Sequence, residues 1–443
     1  MVRGETLSVS VLLQDAFERK KLSKNAVIRE TNIDRSTFYQ IIRGKRTATY
    51  DQFQRIVSKL DLSSEERLAF CAEYEREKAG DKVFASRAAV KQFFNDLSRG
   101  TGAESVPIKT CSAVSKLIKK VSESENPEIR FYMSAEAISE LGIYRLLSEM
   151  AGHAGRQIHA ELILVIRDAE NSTDAILLHN LLSCLMALQA DHLTLDLYTI
   201  SSKGSETAGQ PFPYYCMGCG TVVLVSTNGY VCRQLKDPDF YGDYQDSFAK
   251  AMKQTSPAIV RSLQSLQELM QEAIGYLQAC EGKKVFLMAP HPCIWLSTTD
   301  EEVEKYLPST DFLTYKHALA SSDITEIGCR SGIEKFLHSS RIQESGIVIP
   351  LQKEDMGTLR EHIQDRIGRN LFLVNEEAIG IPSDWIIFVF DRERVAFIPY
   401  DKSDLMVTAC NKRITGLFYD WFQSRVHTFN ADLLDTEDEG ARA

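Results

Sequence analysis

The segment from Leu22 to Arg46 constrains the fold more than any other part of the sequence. Its apolar residues recur at helical spacing on both sides of Asn32, a residue type that tolerates the left-handed backbone of a tight turn. Asp34 stands where it can cap a second helix, and Gly44 stands where that helix can end. The segment is therefore predicted to form two short helices joined by a tight turn.

The flanking sequence extends this pair into a unit of five helices. Apolar residues recur at helical spacing before the pair, from Val11 to Phe17, and after it, from Phe53 to Leu60. Ser63, which is followed by acidic residues, is typical of the start of a further helix. We therefore predict an all-α head over residues 1–80.

Charge is distributed unevenly along the chain. Residues 1–60 contain twelve Lys and Arg against six Asp and Glu, whereas the whole chain of 443 residues carries a formal net charge of −10. A basic head on an acidic remainder is typical of a protein that binds nucleic acid through one part only. The acidic remainder disfavours non-specific binding of DNA along the rest of the chain.

The segment resembles the helix-turn-helix of the XRE family, the Cro and cI repressor-like DNA-binding domains. The residues that match the family pattern are Leu22, Ser23, Ile33, Arg35, Ser36, Thr37, Ile41 and Arg43 to Arg46. Three positions depart from it: Ile28 replaces a small alanine, Asn32 the turn glycine and Ile42 a glutamate. The resemblance covers roughly residues 7–70. It implies a bacterial transcriptional regulator that binds a double-stranded DNA operator as a homodimer.

The resemblance also implies how the second helix would contact DNA. Four residues are expected to face base edges, namely Arg35, Ser36, Thr37 and Gln40. Arg35 is the expected guanine reader, because its guanidinium fork matches O6 and N7 of that base. Four cations are expected to contact phosphates and to set the register of binding, namely Lys24, Arg43, Lys45 and Arg46.

From residue 126 the pattern changes to alternating strands and helices. Apolar strands alternate with helices up to residue 200, and a hairpin with its turn at Asn228-Gly229 follows. A similar order of helix, strand, proline-bearing loop, hairpin and helix recurs from Thr358 onwards. We therefore predict a multidomain chain whose α/β body has two similar lobes, 126–280 and 281–430.

Two further segments are assigned from their pattern. Residues 83–125 contain two predicted helices separated by RGTGAESVP, and we interpret them as a helical linker or neck that dimerises the chain or transmits a signal. Residues 431–443 are rich in acids and are interpreted as a solvated, disordered tail.

The predicted lobes resemble the phospholipase-D-like sensor domains attached to some bacterial regulators. The resemblance is carried by the paired apolar strands from Val222 to Leu235 and from Ile386 to Ile398, each followed by an amphipathic helix. The phospholipase-D-like enzymes use an HxKxxxxD motif in each lobe, and none of the nine histidines here begins that pattern. We therefore predict a degenerate body without catalytic residues, which dimerises or senses an unknown small-molecule or protein effector.

Other residues that could carry chemistry are few. Cys216 and Cys219 form a CxxC pair that could supply half of a zinc site or a redox pair. The next thiol, Cys232, is expected opposite Val225 on the neighbouring strand. That position is roughly 20 Å along the strand from Cys219, too far for both cysteines to bind one metal ion. His291 follows an apolar strand but has no partner acid in sequence. We predict no metal and no cofactor.

The cysteine pattern and the hydropathy of the chain bear on its compartment. Ten scattered cysteines lack the spacing of a secreted disulfide scaffold and are expected to be reduced thiols. We find neither a signal-peptide pattern nor an apolar run long enough to span a bilayer. A cytoplasmic protein without membrane contact is expected.

Two alternative functions stay open at the level of sequence. The body could be an enzyme that acts on nucleotide or phosphodiester substrates and is targeted to DNA by the head. It could also bind another protein, as in a phage-type repressor or a defence component. A polar-lined pocket between the lobes would favour small-molecule sensing, and a flat apolar surface would favour a protein partner.

Overall fold

The computed structural model divides into two compact units. It describes residues 8–100, 112–167, 173–190, 192–202, 211–227, 231–263, 265–307, 310–339, 341–344, 347–374, 379–400 and 405–425. The units are Met1–Ala88 and Ala89–Ala443. The described part of the first unit is helical, and the second is a mixed α/β body. The prediction of helices followed by an α/β body is therefore confirmed.

Five helices build most of the first unit. They are α1 (Val9–Arg19), α2 (Lys24–Thr31), α3 (Arg35–Ile42), α4 (Tyr50–Val57) and α5 (Ser64–Ala79). Their apolar faces form one core, in which Phe38 and Ile56 are completely buried. Thr49 and Ser63 begin α4 and α5 with capping boxes, in which side chains satisfy the free backbone N–H groups of the first turn.

The connection between α2 and α3 is a tight turn. Asn32 adopts φ 50° and ψ 37°, the left-handed conformation that its residue type tolerates. The Asp34 carboxylate then accepts a hydrogen bond from the backbone N–H of Thr37 at 2.8 Å and caps α3. Beyond α3, Gly44 has φ 66°, and a Cβ atom there would lie 2.8 Å from Ser10 Oγ. Only glycine fits this position without strain.

Helices α6 (Asp81–Ser98) and α7 (Ser112–Ser122) differ from the neck expected over residues 83–125. Phe94 of α6 and Leu117 of α7 are buried in the largest core of the body. The Phe94 ring lies 5.0 Å from the ring of Trp421, near the other end of the chain. Residues 89–98 and 112–122 therefore belong to the body, because their apolar faces are covered by it.

One 13-stranded sheet forms the centre of the body. Its first strands along the chain are β1 (Glu128–Ser134), β2 (Ile158–Arg167), β3 (Leu193–Ser202), β4 (Tyr214–Gly218), β5 (Thr221–Val225), β6 (Cys232–Leu235) and β7 (Ser256–Leu263). The others are β8 (Lys284–Met288), β9 (Asp323–Cys329), β12 (Leu371–Val374), β13 (Trp385–Phe390), β14 (Arg394–Pro399) and β15 (Leu405–Ala409). A separate hairpin consists of β10 (Arg341–Glu344) and β11 (Ile347–Pro350).

Helices accompany both parts of this sheet. Between β1 and β7 the chain forms α8 (Ala135–Glu140), α9 (Ile143–Ala154), α10 (Thr173–Ala187) and α11 (Pro238–Met252). The later helices are α12 (Leu266–Ala279), α13 (Asp300–Tyr306), α14 (Thr310–Ala320), α15 (Arg330–Ser339), α16 (Lys353–Arg366) and α17 (412–425), with a 3-10 turn at Ile294–Leu296.

The strand order contains the same arrangement twice. The order is β12-β9-β8-β13-β14-β15-β7-β3-β2-β1-β4-β5-β6. In each set of six strands, three run parallel and the next three continue antiparallel, and the strands succeed one another in the same order. Strand β7 pairs with both β15 and β3, so the two sets belong to one continuous sheet.

The predicted hairpins pair as expected where the structure describes them. Cys232 lies opposite Val225, and Ile386 lies opposite Ile398. Asn228 and Gly229, predicted as the turn of the first hairpin, lie outside the described residues, and so does the predicted acidic tail. Strands β4 and β5 are joined by an additional tight turn in which Cys219 has φ 45° and Gly220 has φ 66°.

Candidate nucleic-acid interface

Helix α3 presents most of the predicted base-facing residues to solvent. Arg35, Ser36 and Gln40 are exposed. Thr37 is only 8% exposed, and its hydroxyl accepts a hydrogen bond from Nη1 of Arg46 at 3.4 Å. Three of the four residues are therefore accessible to a ligand, whereas Thr37 packs inward and positions Arg46.

The predicted phosphate contacts surround the same helix. Arg43, Lys45 and Arg46 are exposed, and Lys24 is half-buried with its Nζ 5.9 Å from the centroid of the Phe17 ring. In the part of the chain that the structure describes, no carboxylate forms a salt bridge with these cations or with Arg35. Their positive charge is therefore available to a polyanion.

Other cations of the head are compensated by acids. Arg19 lies 2.7 Å from carboxylate oxygens of both Asp15 and Glu66. The hydrogen bond from Arg19, together with one from the backbone of Ser63, lowers the pKa of Glu66 to about 2. Arg55 pairs with Asp51 in the same way. These arginines differ from those around α3, because a phosphate would have to displace a carboxylate.

The start of α3 is ordered by its capping residue. Hydrogen bonds from the side chain and then the backbone of Thr37 lower the pKa of Asp34. The ionised carboxylate also interacts favourably with the positive end of the helix dipole. The first turn, which carries Arg35 and Ser36, is thereby fixed relative to the rest of the head.

Tyr39 is a residue at this interface that the sequence analysis missed. The guanidinium carbon of Arg35 lies 5.9 Å from the centroid of the Tyr39 ring, and that of Arg43 lies 5.7 Å from it. Both distances are within the range of cation–π interactions. The spacing of Arg35, Tyr39 and Arg43 at i, i+4 and i+8 was a readable signal, because such residues share one helix face.

The body contains a buried ion pair that forms hydrogen bonds with neighbouring protein groups. Glu326 of β9 is completely buried and pairs with Arg366 of α16. Its carboxylate also accepts a hydrogen bond from the backbone N–H of Cys293 at 2.5 Å, and Arg366 donates to Ser297 Oγ at 2.6 Å. The network joins β9 and α16 to the segment after β8, a structural role.

The two grooves described in the body differ in chemistry. A small cleft beside α13 and α16 is lined mainly by aliphatic and aromatic side chains, which include Trp295 and Tyr306. An open groove of about 350 Å³ beside α11 is lined by polar groups that include Glu128, Arg130 and Tyr241. The groove is large enough for a small molecule.

His291 and the CxxC cysteines occupy structural positions. His291 is buried, its Nδ1 donates to the carbonyl of Pro292 at 2.9 Å, and its ring stacks on Phe336. Cys216 is buried in β4, where desolvation raises the pKa of its thiol, and Cys219 lies in the following turn. Among the described residues, no cluster of three or more His, Cys, Asp or Glu is placed to hold a metal ion.

The thiols of the chain do not all match the expectation. Among the residues that the structure describes, eight cysteines are free. Cys232 is disulfide-bonded, so the prediction that all ten cysteines are reduced is wrong for this residue. Spacing along the sequence did not reveal the bond, because pairing depends on the tertiary fold.

No protein-family model matches the chain, and no curated protein is similar to it. Within the described residues, every helix is too short or too polar to cross a lipid bilayer.

Proposed function

We propose that the chain is a sequence-specific DNA-binding transcriptional regulator with a helix-turn-helix head of the XRE type. The observation that carries the proposal is the exposed surface of α3 and of the segment that follows it, where Arg35, Arg43, Lys45 and Arg46 lie without carboxylate partners in the described structure. The major groove of B-DNA admits an α-helix. Cations beside the helix can neutralise the phosphates of the two backbones that border the groove.

Each residue of this face then has a distinct role. Arg35 reads a guanine through its guanidinium fork, and Gln40 suits the N6 and N7 edge of adenine. Ser36 lies in the first turn of α3, where its hydroxyl can approach either kind of base. Lys24, Arg43, Lys45 and Arg46 bind phosphates and fix the register. Thr37 contributes indirectly, because its hydroxyl holds Arg46.

The body supplies dimerisation and effector sensing in this proposal. The repeated strand order supports an internal duplication into two phospholipase-D-like lobes that have lost catalytic residues. Two heads held by a dimeric body would bind two half-sites about one helical turn apart. The effector is an unknown small molecule or protein, and the chain acts without cofactor in the cytoplasm of a bacterium.

The experiment is a binding titration of the full chain on a fragment that carries the promoter of its own gene. The fragment is titrated against a scrambled competitor, and protection from nuclease defines the bound sequence. Competitor-resistant binding with two protected half-sites supports the proposal. Binding that the scrambled competitor removes completely contradicts it, and assays for enzymatic activity or protein partners would follow.

A variant tests the assigned base reader. Arg35→Ala is expected to weaken specific binding by about 1–3 kcal/mol and to relax the preference at one base pair, because a bidentate contact to guanine is lost. Arg19→Ala is the matched control, since it removes an arginine of the same head that acids already compensate. Equal losses on specific and scrambled DNA for Arg35→Ala would contradict its role.

A further inference from the structure

We propose that Tyr39 is a positioning residue that orders Arg35 and Arg43 for DNA binding. The inference rests on the proposed function of the head and names a determinant of its affinity and specificity. Tyr39 is half-buried on α3, between the two arginines and one helical turn from each.

The Tyr39 ring is itself held by the core of the head. Its neighbour Phe38 is completely buried, and the two rings meet edge to face at 6.0 Å and 89°. Phe38 meets Phe17 of α1 in the same manner, at 5.9 Å and 81°. The three rings form a connected series from the packed interior to the exposed face of α3. The orientation of the Tyr39 ring is thus tied to the core.

The same ring is the contact that the structure identifies for both guanidinium groups. They approach it at 5.9 Å and 5.7 Å, and neither forms a salt bridge in the described residues. Lys24 lies over Phe17 at 5.9 Å, so three of the five cations assigned to DNA contact this aromatic series. A guanidinium is weakly hydrated and stacks readily on an aromatic face.

Such stacking changes the cost of binding. A long, exposed side chain loses rotamer freedom when it is immobilised against DNA, and restriction before binding reduces that loss. For Arg35 the orientation also decides whether both donors of its fork reach one base edge. Tyr39 is therefore expected to increase affinity through both arginines and base discrimination through Arg35 alone.

The Tyr39 ring could also weaken DNA binding instead of strengthening it, and this alternative makes the inference testable. If each guanidinium had to leave the ring before it reached DNA, the cation–π energy would be lost on binding. Removal of the ring would then strengthen binding instead of weakening it. The direction of the change therefore separates a ring that positions the arginines from a ring that withholds them.

The experiment compares Tyr39→Leu and Tyr39→Phe in the full chain on the operator fragment. Ordering two long side chains on binding corresponds to a factor of about 5 to 150 in affinity, so the loss of their pre-ordering predicts binding about 5-fold weaker or more for Tyr39→Leu. Tyr39→Phe keeps the ring and is expected to bind within about twofold of the wild type. Circular dichroism and thermal unfolding of each variant verify that the head remains folded.

A combined variant separates positioning from a general structural role. In the background Arg35→Ala with Arg43→Ala, Tyr39→Leu should cause no further loss of affinity, because its two partners are absent. A structural role would produce the same loss in both backgrounds. The expected coupling is therefore equal to the full effect of Tyr39→Leu in the wild type.

The outcomes distinguish this inference from the function on which it rests. Wild-type protein that shows no competitor-resistant binding overturns both. Specific wild-type binding that Tyr39→Leu leaves unchanged or strengthens overturns the inference alone. A loss that persists undiminished without Arg35 and Arg43 also overturns it. A loss in the wild type that vanishes in the combined background supports it.

Discussion

The salt dependence of DNA binding reports how many cations of the protein contact phosphates. Lys24, Arg43, Lys45 and Arg46 are the phosphate contacts assigned to each head. Every phosphate neutralised on B-DNA contributes about −0.9 to the slope of log K against log salt concentration. One head therefore predicts a slope of about −3.6, and a pair of heads on two half-sites predicts about −7.2.

Lys45→Ala tests this count directly. It removes one exposed cation without a carboxylate partner in the described structure, so the slope should flatten by about 0.9 for one head and about 1.8 for two. Fluorescence anisotropy of a labelled operator fragment, between about 50 and about 200 mM salt, measures it. Over that range a dimeric complex should lose about four orders of magnitude in affinity.

The matched control for this prediction is Arg19→Ala. Arg19 is half exposed but is already paired with Asp15 and Glu66, so its removal should leave the slope unchanged. A wild-type slope near zero would refute the assignment of the phosphate contacts. So would equal flattening by Lys45→Ala and Arg19→Ala, because the slope would then report only the net charge of the head.

The remaining predictions concern stability. The pKa of Glu66 is lowered in the folded head from 4.5 to about 2, so its stabilising effect is full above pH 4.5 and is lost as the pH falls towards 2. Glu66→Gln should therefore lower the midpoint of thermal unfolding of the head at pH 7, and this midpoint should then fall less as the pH is lowered. Circular dichroism measures the midpoint, and the same dependence on pH in the variant and the wild type would contradict the prediction. Arg366→Met should destabilise the body by about 3–5 kcal/mol, because it leaves the buried Glu326 without its cation. Urea unfolding followed by tryptophan fluorescence measures the loss, and additional Glu326→Leu should restore most of it; a double variant as unstable as Arg366→Met would refute the reasoning.

Features of the fold that depend on a few adjacent residues were readable from the sequence. The cap at Asp34, the left-handed turn at Asn32 and the helix stop at Gly44 each follow from the conformational preferences of one residue type. The alternation of apolar residues likewise predicted the hairpin strands. Signals of this kind need no knowledge of the tertiary fold, because their energetics are local.

Features that depend on distant partners were not readable. The apolar face of α6 has the same pattern in a neck as in a core, and tertiary contacts such as that between Phe94 and Trp421 assign it to the body. Thr37 matches a base-facing position of the family pattern, yet packing buries it. The strand order across β7 also follows from long-range pairing, which periodicity does not encode.

At the candidate site, residue types were predictable but their relations were not. The cations around α3 could be named from the resemblance, while the ion pairs that compensate Arg19 and Arg55 required the structure. Tyr39 was overlooked because it is neither charged nor at a typical base-facing position. Its importance comes from two guanidinium groups that approach a single ring.

Because β15 pairs with β7, the body could be expressed as two fragments that assemble through these strands. A break in the chain after β7 and before α12 would leave each fragment with one strand whose partner is on the other fragment. Exposed strand edges of this kind pair with any compatible chain and promote aggregation of an isolated fragment. Made together, the two fragments should restore the antiparallel ladder in which Leu405 faces Leu263. Fragment complementation would then report assembly of the body independently of DNA.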